Sequence, residues 1–209
     1  MQFQIIPVTS FQENCSIIWC EKTLQGAIVD PGGESELLIK AVEKLNITIT
    51  KILLTHGHLD HVGGAKALAN HYQIKIYGPS QEDRFLLDNL PQQCVQFGFP
   101  FCEAFEPDNW LNEGDIIKIG EEQLSVLHCP GHTPGHIVFV NHLQKVALVG
   151  DVLFHNSIGR TDFPRGSYPD LISSIKTKLF PLGDDFTFIP GHGGISTFGQ
   201  ERINNPYLT

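Results

Sequence analysis

The chain has 209 residues, of which 41% are hydrophobic, and carries a formal net charge of −9 at pH 7. That length suits one large domain or two small ones and can bury a core without disulfide bonds. The 14 Lys and Arg residues form no run or stripe, which argues against a nucleic-acid partner. No apolar segment approaches the ~18 residues that a membrane span requires.

The cysteines and the first residues indicate the compartment. The five cysteines are odd in number and show no CxxC spacing, which favours reduced thiols over a disulfide framework. The opening MQFQIIPVTS lacks the basic and apolar regions of a signal peptide. We therefore expect a cytoplasmic protein with neither a membrane nor a nucleic acid as partner.

Strand and helix patterns alternate along the chain. In the first half, β-like runs occupy residues 3–8, 15–20, 26–30, 51–55 and 74–78, and helical spacing occupies 34–45 and 61–72. Residues 91–112 show no clear period. In the second half, strands are predicted at 115–119, 123–129, 136–140, 145–150 and 186–190, with a helix at 169–179. This interleaving predicts a layered α/β or α+β sandwich. The sequence contains no Pro/Gly/Ser-rich linker, so we expect a single domain over residues 1–209.

Four of these strands end in a Gly- or Pro-containing turn that carries His or Asp. The turns are THGHLDH at 55–61, PGHTPGH at 130–136, GD at 150–151 and PGHG at 190–193. Strand ends on one edge of a sheet are where functional loops gather on a rigid scaffold. The sequence therefore predicts that these side chains converge.

Imidazole nitrogen and carboxylate oxygen are ligands that Zn²⁺ accepts. His56 and His58, two positions apart in an extended turn, point the same way, whereas Asp60 and His61 face elsewhere as the chain enters a helix. One segment thus serves two ions. The predicted sets are His56, His58 and His132 for the first metal and Asp60, His61 and His192 for the second, with Asp151 bridging. Such sets leave positions for water, as catalytic sites do.

The same motifs resemble the signature of the metallo-β-lactamase superfamily. IVDPGG at 28–33 and GRTDFPRG at 159–166 also resemble its glyoxalase II-like branch, and the length and ending are similar to short bacterial hydroxyacylglutathione hydrolases. The resemblance implies a four-layer αββα sandwich with a binuclear metal site. Only 17 residues follow His192, so we expect no C-terminal helical domain for glutathione.

This ligand set predicts hydrolysis by a metal-activated water, whose pKa falls to ~7 on zinc, with Asp60 orienting the nucleophile. A thioester suits it, because a thiolate with a pKa near ~8.5 departs without a strong acid. The resemblance points to S-lactoylglutathione as the small-molecule partner. Arg160 and Arg165 are candidates for binding a substrate carboxylate, and Asp30 for orienting a ligating His. His136 opens a strand and is expected to be structural rather than a ligand.

Several alternatives stay open from the sequence. The GRTDF segment also resembles mononuclear iron dioxygenases that act on glutathione persulfide, although these use fewer ligands. A nuclease would need a basic channel, and diiron electron-transfer relatives usually replace the His that stands here as His58. We expect two divalent ions with zinc as the first choice, while iron or manganese suit the same ligands. The oligomeric state has no signature in the sequence.

Overall fold

The computed structural model describes residues 1–209 and contains two central β-sheets. The first sheet has five strands in chain order: β1 (Gln2–Val8), β2 (Glu13–Trp19), β3 (Gln25–Val29), β4 (Thr48–Leu53) and β5 (Lys75–Tyr77). The strands β1, β2 and β3 pair antiparallel, whereas β3, β4 and β5 pair parallel. The parallel pairs are joined by helical crossovers, as parallel strands require.

The second sheet comes from the C-terminal half. Its strands are β6 (Ile116–Ile119), β7 (Glu122–His128), β8 (Ile137–Asn141) and β9 (Val146–Gly150), followed after a small separate hairpin, β10 (Leu153–Phe154) and β11 (Ser157–Ile158), by β12 (Thr187–Pro190) and β13 (Ser196–Thr197). The order across the sheet is β13-β12-β9-β8-β7-β6. Only the β9–β12 pair is parallel, so β9 and β12 end at the same edge.

Helices cover the outer face of each sheet. Those packed on the first sheet are α1 (Ser35–Leu45), α2 (Leu59–Val62), α3 (Ala65–Tyr72), α4 (Arg84–Asp88) and α5 (Leu90–Phe97). Those packed on the second are α6 (Tyr168–Ser174), which continues in wider turns to Leu179, and α7 (Phe198–Asn204). All five cysteines are unpaired and buried. None of the helices has the length and apolar content needed to cross a bilayer.

Alternating side chains on the strands divide the core into three apolar layers. In β8, Ile137 and Phe139 face the layer between the two sheets, whereas Val138 and Val140 face the layer beneath α6 and α7. Period-two alternation produces this division, because successive strand side chains point to opposite faces. A third layer lies between the first sheet and its helices. The predicted αββα sandwich is confirmed.

The helix predicted over residues 61–72 is interrupted, and the interruption lies beside the candidate site. The chain forms α2 and α3 instead, separated by Gly63 and Gly64. A Cβ at Gly63 would lie 2.6 Å from the carbonyl oxygen of Gly32, and one at Gly64 would lie 2.9 Å from that of Pro31. The two glycines therefore let the PGG turn pack against the backbone that follows the HGHLDH segment.

Three helices were not predicted: α4, α5 and α7. Helix α5 falls largely within the stretch that has no clear period, where Pro91 and three glutamines obscure the apolar pattern. One of these glutamines, Gln93, is buried and accepts a hydrogen bond from the backbone N–H of Leu59 at 3.2 Å. A polar side chain thus holds α5 on α2, which hydrophobic periodicity does not detect.

Replacing Phe188 with Ala is expected to destabilise the protein by about 3–5 kcal/mol, because burial is lost and a cavity remains. Phe188 is fully buried in the layer beneath α6 and α7, with its ring 5.5 Å from that of Phe198. Urea unfolding followed by circular dichroism measures the loss. Phe101 is 75% exposed, so Phe101→Ala is the control and is expected to change stability by no more than about 0.5 kcal/mol. Equal losses would contradict the layer assignment.

Candidate metal centre

Seven His and Asp side chains meet where strands of both sheets end. His56 and His58 lie in the loop after β4, and Asp60 and His61 lie in α2. The remaining three come from the β7–β8 loop, the residue after β9 and the turn after β12: His132, Asp151 and His192. Each of these segments directly follows a buried strand, so the strands hold the side chains in fixed positions.

Three imidazoles form the first group, called here the first triad: His56, His58 and His132. The Nδ1 atom of His58 lies 3.1 Å from Nε2 of His56 and 2.9 Å from Nε2 of His132. The three ring nitrogens therefore face a common point. A tetrahedral zinc ion with bonds of ~2.0–2.1 Å would separate its ligands by roughly 3.3 Å, which the observed spacing approaches.

The second group, the second triad, consists of Asp60, His61 and His192. Oδ2 of Asp60 lies 3.4 Å from Nε2 of His192 and 3.8 Å from Nε2 of His61. Asp151 lies between the triads, with Oδ1 at 3.5 Å from Nε2 of His61 and Oδ2 at 3.5 Å from Nε2 of His132. The arrangement is that of two adjacent ligand sets with one carboxylate reaching both.

Two buried atoms at this centre test whether the residues suit a cation. Nε2 of His61 and Oδ1 of Asp151 are both buried, and neither makes a hydrogen bond. Buried polar atoms are normally satisfied, and here the two unsatisfied atoms face each other across 3.5 Å. A divalent cation accepts both nitrogen and carboxylate ligands. The residues therefore fit a metal ion.

Burial sets the protonation of the first triad. It lowers the pKa of His58 to about 3 and holds the pKa values of His56 and His132 below the ordinary value. All three imidazoles are therefore neutral near pH 7. Neutral imidazole keeps a lone pair on the nitrogen that faces the centre, as metal binding requires.

The second triad lies in a strongly acidic environment. Four carboxylates surround the ring of His61 within 3.1–3.8 Å: Glu13, Asp30, Asp60 and Asp151. Burial alone would lower the pKa of His61, but Asp151 and Asp60 outweigh it and raise that pKa well above its ordinary value. Burial raises the pKa of Glu13 well above its ordinary value. Burial would also raise the pKa values of Asp60 and Asp151, but His61 outweighs it and holds both below their ordinary value. The negative charge of these two carboxylates favours a bound cation.

Outer hydrogen bonds orient the imidazoles. Nδ1 of His61 donates to Oδ2 of Asp30 at 3.1 Å, and Nδ1 of His132 donates to the carbonyl of Arg160 at 2.8 Å. Nδ1 of His192 likewise donates to the carbonyl of Phe11 at 3.1 Å. Each of these bonds turns Nε2 of its ring toward the centre, and in the neutral ring it favours the tautomer with the proton on Nδ1.

Asp30 was predicted to orient one candidate ligand, and in the structure it supports two imidazoles, one directly and one through Thr55. Besides His61, it accepts hydrogen bonds from the backbone N–H of Thr55 at 2.7 Å and from the Thr55 hydroxyl at 2.5 Å. The same hydroxyl accepts from Nδ1 of His56 at 3.1 Å. A single carboxylate therefore supports one imidazole in each triad.

The loops that carry Asp151 and His192 require glycine. A Cβ at Gly191 would lie 2.2 Å from Oδ1 of Asp151, and one at Gly150 would lie 2.7 Å from Nε2 of His136. That nitrogen accepts a hydrogen bond from the backbone N–H of Asp151 at 3.1 Å. His136 thus contacts the backbone beside the candidate bridge rather than completing either triad.

A family comparison covers most of the chain: residues 8–192 match the model of the metallo-beta-lactamase superfamily. The chain belongs to the metallo-beta-lactamase superfamily. Hydroxyacylglutathione hydrolase GloC of Haemophilus influenzae is 54% identical to it over 209 residues, covering 100% of this chain and 98% of that protein. The family resemblance drawn from the motifs is therefore confirmed, and so is the prediction of a metal-dependent hydrolase.

Solved structures of the superfamily share this fold over the whole chain. BLEG-1, described as a B3 metallo-beta-lactamase, has a TM-score of 0.92 and 35% identity and covers 100% of both chains. TTHA1623, described in a di-iron-bound form, has a TM-score of 0.89 and 31% identity and covers 98% of this chain and 100% of that one. The superfamily and the two ligand triads together imply divalent metal ions.

The two arginines proposed for substrate binding lie outside the metal centre of this superfamily member. Arg160 forms a two-pronged ion pair with Asp162, at 2.7 Å for each contact, and stacks over the ring of Phe163. Arg165 stacks over Phe85. Neither guanidinium contacts a triad, and their binding of a substrate carboxylate stays a prediction.

Sequence patterns did not identify three residues that support the metal centre. Glu13 is fully buried beside His61, and neither of its carboxylate oxygens makes a hydrogen bond. The side-chain amide of Asn14 donates to the carbonyl of Gly193 at 2.9 Å, next to His192. Asp83 is also fully buried. The first two open a strand and the third lies in a helical turn, where polar residues are common and carry no spacing signal.

Proposed function

We propose that this protein hydrolyses the thioester of S-lactoylglutathione to lactate and glutathione with two divalent cations, zinc being the first choice. The observation that carries the proposal is the pair of facing triads with Asp151 between them. The 54% identity to hydroxyacylglutathione hydrolase GloC supports the glutathione thioester as substrate. The di-iron form of TTHA1623 supports iron as the alternative metal.

The first triad would hold one cation and the second triad the other, with Asp151 bridging the two. Bound there, a divalent cation supplies an acidified water, with a pKa near ~7 on zinc, and polarises the substrate carbonyl. The positions of both cations would be fixed by the hydrogen bonds on the outer sides of four imidazoles, those of His56, His61, His132 and His192. Asp60 has the most exposed carboxylate of the centre, with 20% of its side chain accessible, and we assign it to orient the nucleophile as well as to ligate.

Two aromatic rings flank the candidate metal centre, one beside each triad. The ring of Phe163 is 4.9 Å from that of His58, on the side of the first triad. The ring of Phe154 is 6.2 Å from that of His192, on the side of the second. With a substrate bound, these rings would reduce the water around the reacting bond, which strengthens electrostatic interactions there.

The leaving group favours a thioester over a β-lactam. A thiolate with a pKa near ~8.5 departs without a proton, whereas an amide nitrogen requires an acid. Besides the proposed ligands, the titratable side chains at this centre are Glu13, Asp30 and His136, and all three are buried, so none is exposed to deliver a proton to a substrate nitrogen. For the substrate carboxylate we retain Arg160 and Arg165, and Arg160 keeps its Nη1 amino group outside the Asp162 ion pair.

A side-by-side assay of purified, zinc-loaded protein tests the substrate class. S-lactoylglutathione turnover is expected to exceed β-lactam turnover by roughly 10²–10⁴-fold in kcat/KM, the usual contribution of a general acid. The reverse order would overturn the proposal and favour the second candidate, a β-lactamase, which the 35% identity to BLEG-1 supports. Oxygen consumption by iron-loaded protein with glutathione persulfide, without thioester turnover in either metal form, would instead favour the mononuclear iron dioxygenase.

A further inference from the structure

Asp83 is a fully buried carboxylate that joins two loops of the metal centre. It ends the short helical turn Gln81–Asp83, which follows β5. Its Oδ2 accepts hydrogen bonds from the backbone N–H of Gly57 at 2.9 Å and from the hydroxyl of Thr133 at 2.7 Å. Its Oδ1 accepts from the backbone N–H of Gly135 at 2.6 Å. One side chain therefore connects a loop of the first sheet to a loop of the second.

These two loops supply every member of the first triad. Gly57 lies between His56 and His58, and Thr133 directly follows His132. The distance between the two loops sets the separation of His58 and His132, whose nearest ring nitrogens are 2.9 Å apart. The three hydrogen bonds to Asp83 span this distance.

The second triad is held by different residues. Asp30 accepts from Nδ1 of His61, and the side chain of Asn14 donates to the carbonyl of Gly193, beside His192. Neither contact involves Asp83. Loss of the Asp83 carboxylate should therefore affect the two triads unequally.

The backbone of both loops lies close to Asp83. A Cβ at Gly135 would lie 2.7 Å from Oδ1 of Asp83, and one at Gly57 would lie 3.4 Å from Cβ of Asp83. The glycines allow their backbone N–H groups to reach the carboxylate. Burial raises the pKa of Asp83 to about 6, so the group is ionised at pH 8, and hydrogen bonds to an ionised acceptor are roughly twice as strong as neutral ones.

We propose that Asp83 is a positioning residue that sets the metal affinity of the first triad by holding the HGH and PGHTPG loops together. None of the hydrogen bonds of its carboxylate goes to a proposed metal ligand, and it acts through Gly57, Thr133 and Gly135. The proposal rests on the ligand assignment given under the proposed function. It is independent of which thioester, if any, the enzyme hydrolyses.

Asp83→Asn is the primary test. The amide can accept on one side only, so its NH₂ group faces either the N–H of Gly135 or the donors of Gly57 and Thr133. We expect one of two zinc equivalents to bind roughly 10–100-fold more weakly, the usual effect of removing an outer-shell partner, and the other to bind as in the unaltered protein. Competition with a chromophoric chelator at pH 8, using zinc alone, measures both affinities.

Two further variants show which of the two zinc ions is affected and control for the loss of a buried carboxylate. His132→Ala removes a first-triad ligand, and it should abolish the same equivalent that Asp83→Asn weakens. Glu201 is also fully buried and accepts hydrogen bonds from Ser196 and from the backbone of Asn156. Glu201→Gln is therefore the matched control: it is expected to lower the unfolding temperature and to leave both zinc affinities unchanged.

The outcomes separate a positioning role from a merely structural one. Unchanged zinc affinities in Asp83→Asn, or an equal loss in Asp83→Asn and Glu201→Gln, would overturn the proposal. If Asp83→Asn does not fold, Thr133→Val removes a single hydrogen bond and should weaken the same equivalent by a smaller factor; no change there would overturn it as well. Because the readout is zinc binding, failure of the thioester assay leaves this result intact.

Discussion

Exhaustive removal of metal ions is expected to reduce thioester hydrolysis by roughly 10⁴-fold or more, because neither water activation nor carbonyl polarisation remains. The remaining side chains activate water poorly, because burial lowers the pKa values of the first-triad imidazoles and makes them weak bases. Initial rates with S-lactoylglutathione, measured on protein whose metal content is established by elemental analysis, give the size of the loss.

Metal removal should also lower the unfolding temperature. A ligand present at about 1,000 times its Kd stabilises the folded state by about 4 kcal/mol, and here it also screens the four carboxylates around His61. Adding back zinc should restore both activity and stability, whereas magnesium, which prefers oxygen ligands, should restore neither. Turnover that persists in protein free of metal would disprove the metal-dependent mechanism.

Asp151→Asn is expected to lower kcat/KM by roughly 10³-fold or more, since an asparagine amide cannot replace the bridging charge. The two oxygens of Asp151 lie 3.5 Å from Nε2 of His61 and 3.5 Å from Nε2 of His132. An amide offers one acceptor in place of these two oxygens. The zinc content should fall below two equivalents while the circular dichroism spectrum is unchanged.

A surface position supplies the matched control for this substitution. Asp185 is exposed and pairs only with Lys145, so Asp185→Asn removes the same charge far from the metal centre. It is expected to keep full activity and two zinc equivalents. Full activity in Asp151→Asn would show that the carboxylate does not bridge the ions.

The local spacing of the candidate ligands was predictable because the geometry is short-range. His56 and His58 share a direction in an extended turn, and Asp60 and His61 follow in α2, so backbone periodicity alone separates them into two groups. His132, Asp151 and His192 were predicted from the apolar strands before them, since buried strands deliver their ends to one edge. The structure brings all seven together, in the two groups that the spacing indicated.

The supporting residues could not be predicted in this way. Glu13, Asn14 and Asp83 contact the ligand loops across 26–179 positions of sequence, and no periodic pattern encodes such contacts. A buried carboxylate with its three donors in distant loops reads in the sequence as an ordinary turn residue. The interruption of the predicted helix at Gly63 and Gly64 depends likewise on the backbone of a remote turn.

The sequence by itself determined a layered α/β sandwich and the seven candidate ligands, because strand alternation, turn composition and ligand spacing are local properties of the chain. The αββα arrangement and the family followed from the resemblance that its motifs carry. Only the tertiary structure decided that each oxygen of Asp151 lies near a different triad and which carboxylates surround His61. It also decided which buried side chain joins the loops of the first triad. These depend on the packing of two sheets against each other, where contacts between distant residues set distances that no single segment specifies.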